Sequence, residues 1–268
     1  MRAPLLCLVL AGMTLLSRPA LAQVASSGDA APPAKPAALP TAYDIVSVRP
    51  HKEDNSRVGS YWRHAPSGFS ANVPVYSLIT GAYNVIMEDQ ISGLPDWART
   101  ENFDIEAKLD PDNAEAIAKL HGDDRVKENA VLLRALLADR FRMKAHIEVK
   151  ELPVYNLVIA KSGLKMKEAA PDQSPGFRMG LGSIAGQSLF IGNLVGSLSH
   201  PAGRLIIDKT GLTGKYQVDL TWAWGDDPNA TGPSLFTALQ EQLGLKLEPA
   251  KAPLDVVVID HIERPSEN

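Results

Sequence analysis

Val75-Tyr-Ser-Leu-Ile-Thr-Gly-Ala82 and Ile191-Gly-Asn-Leu-Val-Gly-Ser-Leu198 are the two strings from which the architecture can be read. In the first, Val75, Leu78, Ile79 and Ala82 follow the i, i+3, i+4, i+7 spacing of a helix with one apolar face; Ile191, Leu194, Val195 and Leu198 repeat that spacing 116 residues later. Pro74 suits the start of the first helix. Two short β-like runs follow each helix, at 90–94 and 103–109, then at 204–208 and 215–222. A second helix comes next in both halves, with Leu132, Ala135 and Leu136 matching Leu235, Ala238 and Leu239; Ser234 reads as its N-cap and Gly244 as the residue just past its end. Each second helix runs into a strand, at 142–150 and 245–251, and a last strand follows a proline, at 153–160 and 253–260. The pattern predicts an α+β fold of two tandem β-α-β-β-α-β-β modules with small mixed sheets. The first spans 42–163, with a helical insertion near 110–129, and the second spans 178–268.

Outside these modules the chain changes character. Of 268 residues 45% are hydrophobic and 22% charged, enough apolar material for a core, yet several of the 20 prolines crowd the first 40 residues. Residues 1–22 have an early arginine, an apolar run from Leu5 to Leu16 and small Ala20 and Ala22, the pattern of a cleaved secretory leader. The run is too short to span a bilayer as a helix, so no transmembrane segment is expected after cleavage. Residues 23–41 read as a Pro/Ala-rich flexible spacer. Cys7, the one cysteine, leaves with the leader, so the mature chain makes no disulfide. Cleavage also leaves 25 of the 27 basic residues against 31 acidic ones, which argues against a nucleic-acid partner. The expected location is periplasmic or secreted.

YDIVSVRP, QISGLPDW, NFDIEAK, LLADRFRMKAH, ELPVYNLVIAKSG, IIDKTGLTGKY, SLFTALQEQLGLKLE and VVVIDHIERPSEN resemble, together, a family of uncharacterised secreted proteins expanded in soil acidobacteria, over essentially all of residues 42–268. A related domain of unknown function is attached in some proteins to antirepressor-type membrane metallopeptidases, and that resemblance implies an extracytoplasmic sensing or binding role. The stretch from Ser234 to Leu245, followed by Val256-Val-Val-Ile259, is also similar in architecture to the short N-terminal domain of secretins and signalling TonB-dependent receptors, which implies docking. The first half departs from that form, because Asp139-Arg-Phe141 stands in place of a helix-ending Leu-Gly.

Strings that imitate catalytic motifs fail on context. Asp208-Lys209-Thr210-Gly211 matches the phosphorylated aspartate motif of P-type ATPases for only four residues, and its glycines read as a turn. Ser162-Gly-Leu-Lys165, Ser70-Ala-Asn72 and Lys209-Thr-Gly211 imitate the motif set of penicillin-recognising enzymes in the wrong order. The six histidines show no chelating spacing, so no metal or cofactor is expected. Asp226 and Asp227 fall in a turn. The aromatic residues are the better lead: Trp62 in a polar loop, Trp97 after Leu94-Pro-Asp96, and Trp224 beyond Trp222 at a strand end are candidate contact residues, alongside Asp208 and Lys209. The expected function is a non-catalytic extracytoplasmic module that docks an envelope protein or a small cell-wall or polysaccharide ligand. The alternative is a hydrolase-type enzyme whose site assembles across the two modules from Asp208, Lys209, His51 or His64.

Overall fold

A computed structural model of the chain describes residues 39–52, 60–65, 67–225 and 232–265. The expected leader, Cys7, all but the last three residues of the spacer, and the Asp226/Asp227 pair lie outside the described residues. The fold is mixed α+β, with three four-stranded sheets and no closed barrel among the described residues. None of the helices there is long and apolar enough to cross a membrane.

The first half runs β1 (Ile45–Pro50), β2 (Tyr61–Ala65), β3 (Gly68–Pro74), α1 (Val75–Tyr83), β4 (Ile91–Ser92), α2 (Asp96–Thr100), β5 (Asn102–Lys108), α3 (Pro111–Ala118), α4 (Gly122–Arg140) and β6 (Lys144–Ile159). The second half runs β7 (Lys167–Glu168), β8 (Arg178–Gly180), β9 (Ser183–Phe190), α5 (Ile191–Ala202), β10 (Ile206–Asp208), β11 (Lys215–Thr221), α6 (Leu235–Ala238) with a π-helical last turn (Leu239–Leu243), and β12 (Leu245–His261). The helices form where the apolar spacing predicts. In α1 the buried residues are Val75, Leu78, Ile79 and Ala82; Pro74 holds extended backbone just before it, and Asn84 ends it in the left-handed region that asparagine tolerates. Ser234 caps α6 by accepting a hydrogen bond from the Thr237 N–H at 3.2 Å, and Gly244 closes the π turn at φ 68°.

Two of the sheets have the same plan. One has the order β1-β5-β3-β2 and another β7-β11-β9-β8, and every neighbouring pair in both is antiparallel. The third sheet, β10-β6-β12-β4, is shared. Its centre is a long antiparallel ribbon of β6 and β12, while β4 pairs in parallel with β12 and β10 in parallel with β6. Each half therefore lends its short strand to the other half's long one. The cores follow the same exchange: Val257 and Ile259 of β12 pack among α1, α4 and β3–β5, whereas Leu157 of β6 packs with α5, α6 and β9–β11.

One expectation fails. The two last strands predicted in each half are a single continuous strand, because the prolines used to divide them sit where pairing does not need their N–H. Pro153 faces Lys251 and Pro253 faces Glu151, and Pro249, within the strand expected at 245–251, faces Tyr155 at the same phase of the ladder. The Tyr155 N–H points away from β12, to the Leu205 carbonyl at 2.9 Å. Residues at that phase direct their N–H outward, so proline there removes no bond from the ribbon.

On one face of the ribbon His146 Nδ1 lies 2.9 Å from an Asp260 carboxylate oxygen and its Nε2 3.2 Å from Glu148, which also takes a hydrogen bond from Lys150 at 2.9 Å. Hydrogen bonds to Asp260 first, then Glu148, hold the imidazolium above its ordinary value of 6.5. A group raised on folding contributes stability that is fully present below the unfolded value and is lost as pH rises through the folded one. The melting temperature of the wild type is accordingly expected to approach that of His146→Gln as pH goes from about 6 to about 8. A difference between the two that stays constant across this range would remove His146 from the account.

Candidate functional site

The sequence-predicted residues are scattered. Asp208 ends β10 and closes a local turn: one carboxylate oxygen accepts from the Thr210 N–H at 2.8 Å and from its hydroxyl at 2.7 Å. Gly211 takes the left-handed conformation there, φ 72°, while Gly214 does not. Lys209 uses its backbone N–H on the Leu157 carbonyl at 2.9 Å. Trp97, on α2, packs edge-on to Phe103 with 6.1 Å between centroids, and the Arg264 guanidinium covers its other side at 5.0 Å while pairing with Glu101. These three residues have structural work already.

His51 and His64 occupy different places. His51 stands at the end of β1 in a polar network that joins three strands: its Nδ1 is 3.0 Å from an Asp104 carboxylate oxygen, and buried Asn72 donates to Asp104 at 2.9 Å while accepting from Asn102 at 2.7 Å. Asn72 is 2% exposed, so the network satisfies a polar group that the fold has taken out of water. No serine or threonine hydroxyl bonds to His51 among the described residues, and Ser60 meets Asn102 instead. His64 lines a cavity with Trp62, and neither Asp208 nor Lys209 reaches it. His51 lines a different cavity from His64, and neither of those two cavities is lined by Asp208 or Lys209.

The predicted residue that does sit in a broad apolar surface is Trp224. It is 41% exposed beside Trp222, 6.2 Å between centroids, and with Phe236 and His200 it lines an open groove of about 640 Å³. Gly182 fixes what adjoins this groove. Its O accepts from the Trp222 N–H at 2.8 Å, and a Cβ there would stand 2.4 Å from the Trp222 carbonyl oxygen, so only glycine allows the β8–β9 turn to close against the Trp222 backbone. Leu181 in that turn, Met179 in β8 and Phe177 just before β8 are 80%, 50% and 45% exposed. Met179 faces Ile184, which is wholly buried, so Met179 lies on the core side of its sheet but beyond the core's edge.

The other half shows what usually covers such a position. β2 and β3 are the counterparts of β8 and β9, and there Trp62 faces Ala71 and His64 faces Phe69. Trp62 stacks on Phe69 at 4.8 Å, and α3 with the first turns of α4 close over this end, bringing Ile117 and Leu132 against Leu109 and Tyr43. In the second half α6 begins only at Leu235, and the helical cover is missing from the described residues.

Sequence reasoning overlooked Phe177, Met179 and Leu181. The signal was available in Phe177-Arg-Met-Gly-Leu181, an apolar/polar alternation bounded by glycines. Residues 76–262, more than half of the chain and reaching from α1 to just past β12, match the model of a family described as Protein of unknown function (DUF3738). No curated protein and no solved structure matches the chain.

Proposed function

Because the chain belongs to the DUF3738 family of unknown function, we propose a role from its surface: it is a non-catalytic binding module, and the open face of β8 and β9 receives an amphipathic helix from a protein partner. The observation that carries this reading is the contrast between the halves. The same sheet position is roofed by α3 and α4 in the first half, while Phe177, Met179, Leu181 and Trp224 stand in solvent in the second. Exposed apolar side chains in a contiguous row mark interaction surfaces. A helix laid across the sheet edge, with large residues at i, i+3, i+4 and i+7, reproduces the packing that α3 and α4 supply to their own sheet. The aromatic and methionine content of the row suits a partner-binding hot spot.

The leader pattern at 1–22 and the resemblance to secreted proteins of soil acidobacteria support placing this docking outside the cytoplasm, with an envelope protein as partner. The architectural similarity to the docking domain of secretins supports the same direction, by analogy of fold alone.

The test is differential capture from an envelope extract of the producing bacterium. The wild type should retain a protein that the double variant Phe177→Glu/Met179→Glu recovers at about a tenth or less, since removing two apolar anchors and placing charge against an apolar helix weakens binding at least tenfold. Val126→Glu, an exposed apolar position on α4, should recover it fully. Hydrogen exchange on the captured pair then distinguishes a helix over the face from a strand added along the β8 edge. Equal recovery by wild type and double variant, or nothing retained by the wild type beyond a denatured control, overturns the proposal.

A further inference from the structure

Four polar side chains share the face of the β1-β5-β3-β2 sheet that is turned away from the core. Asn102 and Asp104 alternate along β5 with buried Phe103 and Ile105, Asn72 stands opposite Asp104 on β3, and His51 follows β1 with its N–H on the Asn102 carbonyl at 2.9 Å. Three of their atoms form a triangle. His51 Nδ1 lies 3.0 Å from Asp104 Oδ1 and 2.6 Å from the Asn72 amide nitrogen, which is itself 2.9 Å from the same Oδ1. Hydrogen bonds cannot satisfy all three sides. With a proton on Nδ1 the ring donates to Asp104 but sets an N–H against the Asn72 amide N–H. Without that proton, the Nδ1 lone pair faces both Asp104 oxygens, at 3.0 and 3.1 Å. Turning the Asn72 amide over removes the first conflict and places the amide oxygen 2.9 Å from a carboxylate oxygen instead.

A positive ion resolves the triangle, because all three atoms can then offer lone pairs. From this we infer that these residues bind a divalent first-row transition ion, with His51 Nδ1, an Asp104 carboxylate oxygen and the Asn72 side-chain oxygen as ligands. The spacing suits an ion. Ligands at about 2.1 Å from one metal lie about 3.0 Å apart at right angles and about 3.4 Å apart in a tetrahedron. The sides of 2.9 and 3.0 Å therefore fit one face of an octahedron, and the 2.6 Å side needs about 0.4 Å of opening. An imidazole among the ligands favours zinc, nickel or cobalt over magnesium and calcium. Asn72 is supported from behind: with its amide turned, its nitrogen donates across the 2.7 Å contact to a turned Asn102, whose oxygen also accepts from the Ser60 hydroxyl at 3.1 Å. Asn72 is buried, whereas the side chains of His51 and Asp104 are 25% and 49% exposed, so water can reach the remaining coordination positions. No three His, Cys, Asp or Glu residues stand together among the described residues, so the site depends on the Asn72 oxygen. Its ligands come from three strands, which is why no histidine spacing in the sequence marks it. The site is separate from the β8 face, and neither proposal depends on the other.

The test titrates the purified, untagged chain, stripped with EDTA and desalted, with cobalt chloride, following heat by calorimetry and the melting temperature in parallel. One equivalent should bind and saturate below about 1 mM, and the melting temperature should rise with it, since the site exists only in the folded chain. His51→Gln and Asp104→Asn should each weaken binding at least tenfold. Asn72→Asp separates an ion site from a purely structural network: it should melt lower than the wild type without metal, bind cobalt at least tenfold more tightly, and regain its melting temperature when cobalt is added. His146→Gln should bind like the wild type, because Asp260 and Glu148 lie on opposite nitrogens of that ring and cannot share one ion with it. The inference is overturned if cobalt gives no saturating binding up to about 1 mM, or if magnesium chloride at the same concentration raises the melting temperature as far. Unchanged binding by His51→Gln or Asp104→Asn, whose exposed side chains leave folding intact, overturns it as well.

Discussion

Gly244→Ala is expected to destabilise the protein by about 3 kcal/mol or more, read from the urea midpoint at unchanged slope. Two independent costs add. Gly244 has φ 68°, a conformation that places a Cβ against its own backbone and costs roughly 1 kcal/mol for a residue other than glycine. Steric contact costs more: the new Cβ would stand 2.0 Å from the Gly163 carbonyl oxygen and 2.8 Å from the Lys165 nitrogen. These are backbone atoms held in place, since the Lys165 N–H donates to the Leu243 carbonyl at 3.0 Å and the Ala160 N–H to the Gly244 carbonyl at 2.8 Å. Relief would require breaking one of those bonds. The first half offers an internal control. Arg142, between α4 and β6, takes the matching left-handed conformation at φ 51°, so Arg142→Gly should be neutral or stabilising by up to about 1 kcal/mol. A Gly244→Ala protein within about 1 kcal/mol of wild type would show that the loop at 160–165 yields easily, contrary to its bonding.

Phe141→Ala should cost about 3–5 kcal/mol, the range for emptying a fully buried phenylalanine site. Phe141 is wholly buried and meets Phe103 edge-on, 5.5 Å between centroids with planes at 90°. It sits where α4 passes into β6, and its carbonyl accepts the Glu263 N–H at 2.8 Å, so collapse around a void there is opposed by chain on both sides. Combining it with Phe103→Ala should give less than the sum of the two, by about 0.5–1.5 kcal/mol, because either truncation alone removes the aromatic pair. For a domain whose total stability is about 5–15 kcal/mol, the single variant should shift the urea midpoint by a large fraction. A loss under about 2 kcal/mol would mean that neighbouring side chains refill the space.

What could be read from the chain divides by range of interaction. The apolar faces of α1 and α5 are local, set by residues within seven positions, and the buried Val75, Leu78, Ile79 and Ala82 are those the spacing indicates. The Ser234 cap and the Gly244 turn are equally local. The hairpins β2–β3 and β8–β9 escaped because Gly68, Ser70, Ala71, Gly186 and Ser188 dilute the β-branched signal, leaving tertiary pairing to fix what propensity does not. The exchange of β4 and β10 between halves joins residues such as Ile91 and Val257, and no short string encodes that. Proline misled for a physical reason: its meaning in a strand depends on which way the missing N–H would point, and that phase appears only once the ribbon is paired. Of the tryptophans expected as contact residues, Trp97 packs against Phe103 and Arg264 while Trp224 is 41% exposed, a difference set by tertiary neighbours that no local string carries.

The shared sheet also governs the order of events during folding. Val257 and Ile259 complete the first hydrophobic core, so the first half of the fold cannot finish packing until β12 has been made. Contacts of such sequence separation slow the search for the native state and prolong exposure of unpaired strands. A nascent chain would therefore hold α1 and α4 without their closing strand, and proteolysis within β12 would open the first half as well as the second.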